Sequence, residues 1–203
     1  GFISRGVAYW AGLHAAPGSG NGEAGGCASR IFFGTVDARL LALDAASGAA
    51  CAEFGEAGTV RLDRDVGQVQ PGQYGITSPP AVIGDVVVVG SSIGDNRRVE
   101  LERGIVRGFD VRSGRQRWSF DPVPRHASDP EFGNWGSTAA RVTGGGNAWA
   151  PLSVDTALGL VFVPTGSAAP DFFGGLRPGD NRYANSVVAL EAASGRVRWH
   201  FQV

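Results

Sequence analysis

The chain has 203 residues, 43% of them hydrophobic and 18% charged, with a formal net charge of -1. Such a composition describes a globular domain without a polyelectrolyte tail, which argues against a nucleic-acid partner, and no apolar run approaches the ~20 residues that cross a bilayer. Glycine, at 32 residues, is well above its usual share of ~7% and falls at turns between apolar runs, as a fold of many short strands requires.

Strand candidates come in groups of four. The first group is Gly6 to Tyr9, Arg30 to Gly34, Leu40 to Asp44 and Ala49 to Phe54. The second is Ala81 to Ile83, Val86 to Gly90, Ile105 to Asp110 and Gln116 to Phe120, and the third is Ala150 to Val154, Leu160 to Pro164, Ser186 to Glu191 and Arg196 to Phe201. Each is rich in Val, Ile, Leu, Phe or Trp and is punctuated by Gly, Pro, Asp or Ser. Long loops separate them, over 11–29, 55–78, 121–148 and 165–185.

A repeat overlies this pattern. Ala42-Leu43-Asp44-Ala45-Ala46-Ser47-Gly48, Gly108-Phe109-Asp110-Val111-Arg112-Ser113-Gly114 and Ala189-Leu190-Glu191-Ala192-Ala193-Ser194-Gly195 each end a strand on a Ser-Gly turn, and the last two meet Trp118 and Trp199 shortly afterwards. One short sheet cannot bury both of its faces, so recurring sheets must stack. The chain is therefore expected to be all-β, a partial β-propeller of about three four-stranded antiparallel blades in a single domain over 1–203, with blade-like units over 1–54, 79–120 and 148–203. Trp118 and Trp199 are expected to pack against the turn of an adjacent blade. In the first repeat Ala52 takes that place, and its blade is expected to rely on a link between Cys27 and Cys51 instead.

Those two cysteines bracket one local sheet, which favours a disulfide and an oxidising compartment over two unrelated buried thiols. All 18 basic residues are Arg, Met is absent, and the final residues read as a strand still running, so the sequence is expected to be an internal fragment.

Three loop stretches have the composition of a site. Gly75 to Pro80 leads through a strand to Gly90-Ser91-Ser92-Ile93-Gly94-Asp95-Asn96, where small residues admit a flat ligand and the Asp-Asn pair offers hard oxygens suited to Ca2+ or Mg2+. An ordinary polar turn fits the same residues. Gly144 to Pro151 presents Trp149, either as an open aromatic face or as a core residue at a strand start. Pro164 to Asp171 is again small and polar. His14, His126 and His200 are far apart in the sequence and lack an obvious acidic partner, which points to surface or packing roles.

Arg5-Gly6-Val7-Ala8-Tyr9-Trp10, Thr77-Ser78-Pro79-Pro80, Gly90-Ser91-Ser92, Val106-Arg107-Gly108-Phe109-Asp110, Asn147-Ala148-Trp149-Ala150-Pro151 and Arg177-Pro178-Gly179-Asp180-Asn181 occur in this order and span nearly the whole chain. Together they resemble the pyrroloquinoline quinone (PQQ)-dependent dehydrogenases, quinoproteins with an eight-bladed propeller. Thr77 to Pro80, Asp95-Asn96 and the Cys27 to Cys51 spacing are most similar to the membrane-bound glucose and quinate dehydrogenase branch. The resemblance implies a periplasmic enzyme that oxidises a sugar, polyol or alcohol by passing two electrons and protons to PQQ, with ubiquinone or a cytochrome as the next acceptor and any membrane anchor carried outside this chain.

The resemblance also implies roles. Arg5 would pair with a PQQ carboxylate, Thr77, Ser92 and Gly94 would meet the quinone's polar rim, and Trp149 would stack under its plane. Asp95 and Asn96 would hold a divalent ion, Ca2+ or Mg2+. Ser167 stands where alcohol dehydrogenases of the family carry a metal-binding asparagine, and Trp10 where the glucose enzyme has a histidine. The family's catalytic aspartate and basic residue would follow Val203, so no catalytic residue is expected here. Two other classes compete: a noncatalytic propeller of the same repeat serving as a cell-envelope interaction scaffold, and a carbohydrate-binding propeller without PQQ or metal.

Overall fold

A computed structural model describes residues 5–12, 27–94 and 97–203. Three four-stranded antiparallel sheets follow one another along the chain. The first contains β1 (Ala8–Trp10), β2 (Arg30–Gly34), β3 (Arg39–Asp44) and β4 (Thr59–Arg61) in that order. A two-stranded ribbon of β5 (Tyr74–Gly75) and β8 (Ser92–Ile93) flanks the second sheet, whose strands run β6 (Ala81–Ile83), β7 (Val86–Val89), β9 (Val106–Asp110) and β10 (Gln116–Phe120). One short helix, α1 (Ser137–Val142), precedes the third sheet of β11 (Ser153–Asp155), β12 (Leu160–Pro164), β13 (Ser186–Glu191) and β14 (Val197–Gln202). β6 touches both β1 and β11, so the first strands of the three sheets gather along one line and the later strands radiate from it. The arrangement is a partial β-propeller.

The sequence pattern of each sheet follows from how many of its faces are covered. Val86 to Val89 are all buried: Val87 and Val89 join Phe32 and Leu40 of the first sheet and Phe54 of the loop between its last two strands, while Val86 and Val88 join Val161, Val163 and Val188 of the third. A strand covered on both faces reads as an unbroken apolar run. In the third sheet one face packs inward through Val161, Val188 and Leu190, and Val187, Trp199 and Phe201 lie exposed on the other.

The Ser-Gly turns lie between the third and fourth strands of their sheets, and each is closed by a carboxylate. Asp110 Oδ1 accepts from the main-chain N–H of Arg112 at 3.0 Å and of Ser113 at 2.8 Å, and from the Ser113 hydroxyl at 2.9 Å. Asp44 does the same with Ala46 and Ser47. Burial pushes the Asp110 carboxyl up, but the Ser113 N–H, the Arg117 guanidinium, the Ser113 hydroxyl and the Arg112 N–H together hold it below the usual aspartate range. Glu191 is one methylene longer and takes the Ser194 hydroxyl; Arg196, then Arg198 and Ser194, lower its pKa to about 2. Gly48, Gly114 and Gly195 follow with φ between +68° and +74°, the left-handed conformation that glycine accepts without strain.

Trp118 docks on the next sheet as expected. It is 7% exposed, wedged between Gly108 and Gly195, where any Cβ would collide with the indole, and its Nε1 donates to the Ala192 carbonyl at 2.8 Å. Trp199 differs: it packs on Phe162 at 5.7 Å between ring centroids and remains 46% exposed.

The first sheet departs from the expected pattern. Its fourth strand is Thr59–Arg61, not Ala49 to Phe54, so the sheet extends beyond residue 54. Ala50 makes one bridge to Leu43, after which Cys51 is tied to Cys27 by a disulfide, Phe54 turns into the core, and the chain returns to β3 only at Thr59. β11 likewise starts at Ser153, later than the Ala150 to Val154 expectation, because residues up to Leu152 belong to the loop that presents Trp149. No helix among the described residues is long and apolar enough to cross a membrane.

Candidate functional site: a cleft at one end of the sheets

In each sheet the residues ahead of the first strand and those after the second strand emerge at the same end, and the Ser-Gly turns close the opposite end. Arg5, Thr77 and Trp149 stand just ahead of β1, β6 and β11, so one position of the repeat is used three times. Ser92 and Gly94 follow β7, and Val36 follows β2. All six line one cleft of about 390 Å³, together with Gln73, Tyr74, Gly75 and Ile93.

Trp149 is 50% exposed, so it is not a core residue. Its main chain is fixed instead: the Ser78 hydroxyl donates to the Trp149 carbonyl, the neighbouring Ala148 carbonyl accepts from Ser91 N at 3.0 Å, and Asn147 Nδ2 donates to the Ser91 carbonyl at 2.7 Å. The Arg5 guanidinium carbon lies 5.6 Å from the indole centroid, within cation–π range. Arg5 is anchored by its main-chain N–H to the Thr77 carbonyl at 3.0 Å. Thr77 Oγ1 is shielded from solvent and has no hydrogen-bond partner among the described residues, an unused donor and acceptor at the cleft wall. Gly94 lies against the end of the Gln73 side chain, so a Cβ there would require that side chain to move.

An open aromatic face with a cation over it, bordered by hydroxyls and close-packed glycines, suits a flat anionic ligand. PQQ, a planar quinone bearing carboxylates, has that shape and charge, and the orphaned Thr77 hydroxyl is the kind of group its rim would satisfy.

Other expected site residues fall elsewhere. Asp95 and Asn96 lie outside the described residues, as does His14; among the described residues no group of three or more His, Cys, Asp or Glu is placed to hold a metal. Ser167 does not line the cleft: its hydroxyl accepts from Arg177 Nη2 at 3.1 Å and so already faces a cation. Trp10 is buried beneath Arg112, whose guanidinium carbon is 4.7 Å from its ring, and also lies away from the cleft. Val36, Gln73 and Tyr74 were not foreseen. Only the nearness of Gln73 and Tyr74 to Thr77 in sequence hinted at them. Burial raises the Tyr74 hydroxyl above its ordinary pKa, with Arg107 opposing, so it stays protonated.

The model of the glucose/ethanol/alcohol dehydrogenase β-propeller domain, PQQ, matches residues 1–203. The chain belongs to this PQQ family. It is 42% identical over 178 residues to the glycerol dehydrogenase large subunit of Gluconobacter oxydans, covering 87% of this chain and 23% of that protein. With the quinoprotein glucose dehydrogenase A of Acinetobacter calcoaceticus it shares 40% identity over 177 residues, covering 87% of this chain and 22% of that protein. Among solved structures, the quinohemoprotein alcohol dehydrogenase from Comamonas testosteroni superimposes with a TM-score of 0.74 at 26% identity, over 98% of this chain and 27% of that one. The PQQ-family chain thus spans about a quarter of the length of the relatives it matches.

Proposed function

We propose that the cleft is one flank of a PQQ site in a periplasmic dehydrogenase that oxidises a sugar, polyol or alcohol and passes electrons on to ubiquinone or a cytochrome. The observation that carries the reading is the Arg5–Trp149 pair: a half-exposed indole face and a guanidinium over it, at the mouth of a cleft that also holds the unpartnered Thr77 hydroxyl. The relatives named as glycerol and glucose dehydrogenases support the substrate class. The Cys27–Cys51 disulfide supports an oxidising compartment.

When bound, PQQ supplies a two-electron acceptor that no side chain of this chain provides. Trp149 would stack against its ring plane. Arg5 would neutralise a carboxylate through its planar fork. Thr77 and Ser92 would donate to its polar rim, and Gly94 would leave the main chain open to its approach. A divalent ion, Ca2+ or Mg2+, falls to Asp95 and Asn96, which directly follow the cleft residue Gly94 in sequence. Ser167 is left out of that set because of Arg177.

The test is reconstitution of the intact protein, stripped of PQQ and metal, followed by dye reduction with glycerol, glucose and other polyols. PQQ with Ca2+ or Mg2+ should restore activity, Arg5→Ala should raise the PQQ requirement about tenfold or more, and Trp149→Ala by about tenfold. A folded protein that reduces no dye with any of these substrates would overturn the proposal.

A further inference from the structure

The most deeply buried carboxylate among the described residues lies behind the cleft, and the proposed chemistry makes no use of it. Glu102 stands ahead of β9 with its side chain fully shielded from solvent. Its Oε2 accepts from Arg97 Nη2 at 2.6 Å, and its Oε1 has no hydrogen-bond partner among the described residues. A carboxylate buried in this way and satisfied on one side is poor value for stability, since an apolar pair of similar size commonly does as well or better.

What the pair touches suggests a different purpose. The Arg97 guanidinium is engaged at all three nitrogens: Nε donates to the Gly94 carbonyl at 2.8 Å, Nη1 to Gln70 Oε1 at 3.2 Å and Nη2 to Glu102. Gly94 lines the cleft, and Gln70 begins the turn that delivers Gln73 and Tyr74 to it. The main chain of Glu102 reaches the other wall. Its carbonyl accepts from Gly145 N at 3.0 Å, and Gly145 belongs to the glycine-rich loop that ends at Trp149. The next residue, Arg103, bridges to Gly145 as well. One residue is therefore tied through its side chain to the Gly94 wall and through its backbone to the Trp149 wall.

We infer that Glu102 is a positioning residue for the cleft: acting through Arg97, it fixes the distance between the Gly94 wall and the loop that presents Trp149. The inference rests on the reading of the cleft as the PQQ site. Charge is essential to the role, because a carboxylate holds a guanidinium in one orientation far more firmly than an amide does. An amide at 102 keeps the volume and loosens the hub.

The experiment is equilibrium dialysis of PQQ against the intact protein freed of cofactor and metal, with the unfolding midpoint measured in parallel. Glu102→Gln is expected to weaken PQQ binding about tenfold, the scale on which partners that orient direct ligands act. The double variant Arg97→Met with Glu102→Met removes both charges, so it is expected to unfold near the wild-type midpoint and still bind PQQ as weakly as the single variant; it carries the test if Glu102→Gln fails to fold. Wild-type affinity in either variant would overturn the inference, because the pair would then serve packing alone. Arg5→Ala and Trp149→Ala separate the two levels. If they bind PQQ like the wild type, the site reading itself fails; if they weaken binding while both Glu102 variants do not, only the positioning role fails.

Discussion

The junction between the second and third sheets and the junction between the first and second do the same job with different chemistry. In the former, the Trp118 indole donates to the Ala192 carbonyl. In the latter, Trp10 stacks on the Arg112 guanidinium, 4.7 Å from its ring, and the donor is Arg30, whose guanidinium donates to the Val111 carbonyl at 2.9 Å and to Arg112 O at 2.6 Å. Val111 and Ala192 hold the same place in the repeat, directly after the turn carboxylates Asp110 and Glu191. The turn therefore demands a donor at one carbonyl, and either side chain meets the demand.

The two donors need different support. An indole carries its own apolar area into the junction, whereas a buried guanidinium has to be neutralised and oriented. Arg30 is held by Glu53 and by the Cys27 carbonyl at 3.3 Å, and the Cys27–Cys51 disulfide locks both of these neighbours beside it. Desolvation lowers the Arg30 pKa, and Glu53 opposes that shift. Gly55 N adds a bond to Ser113 O at 2.9 Å across the same junction.

The contrast can be broken from either side. Trp118→Ala removes both the area and the hydrogen bond and should cost about 3–5 kcal/mol in denaturant unfolding, the largest effect expected. Cys51→Ser should cost about 3 kcal/mol and Arg30→Met about 2 kcal/mol. Arg30→Met is the milder of the two because Glu53 is half exposed and regains water when its partner is lost. Losses in the pair Cys51→Ser with Arg30→Met should fall short of additive, since both loosen one clasp; full additivity would show that the disulfide and the guanidinium act independently. Trp118→Phe, which keeps most of the area and drops the N–H, should cost about 1 kcal/mol.

The smallest effect concerns the turns. Asp110 has its pKa lowered in the folded state from the ordinary 3.8, so its contribution is present above about pH 4 and is lost as pH falls through the folded value. Asp110→Asn should accordingly flatten the decline in stability below pH 4 while lowering stability at neutral pH. An unchanged acid limb would mean that the turn carboxylate is not coupled to folding.

Much of this was legible in the sequence. The second sheet was read to within a residue because Val86 to Val89 and the Gly108 to Trp118 repeat leave no competing register. The fourth strand of the first sheet was misplaced because Ala49 to Phe54 and Thr59 to Arg61 are both plausible edges, and only the disulfide and the Phe54 anchor, both long-range, choose between them. The ribbon of β5 and β8 is too short for any period to register, and α1 has neither a capping side chain nor a hydrophobic stripe long enough to announce it. Arg5, Thr77, Ser92, Gly94 and Trp149 were found through family resemblance and the structure gathers them in one cleft, but Gln73 and Val36 carry no motif and enter through packing alone. Arg30 was invisible for another reason. It occupies an alternating strand position, where its partner carbonyl lies 81 residues away.

The placement of the clasps has a consequence for how such a protein can change. The Ser-Gly clasps hold the sheets at one end and main-chain bonds such as Arg5 N to the Thr77 carbonyl and Ser91 N to the Ala148 carbonyl hold them at the other, so the cleft side chains that take no part in either set are free to be exchanged without unlocking the sheets. The side chains of Val36 and Gln73 are such positions: they line the cleft and can vary while the main-chain ties of the sheets are kept.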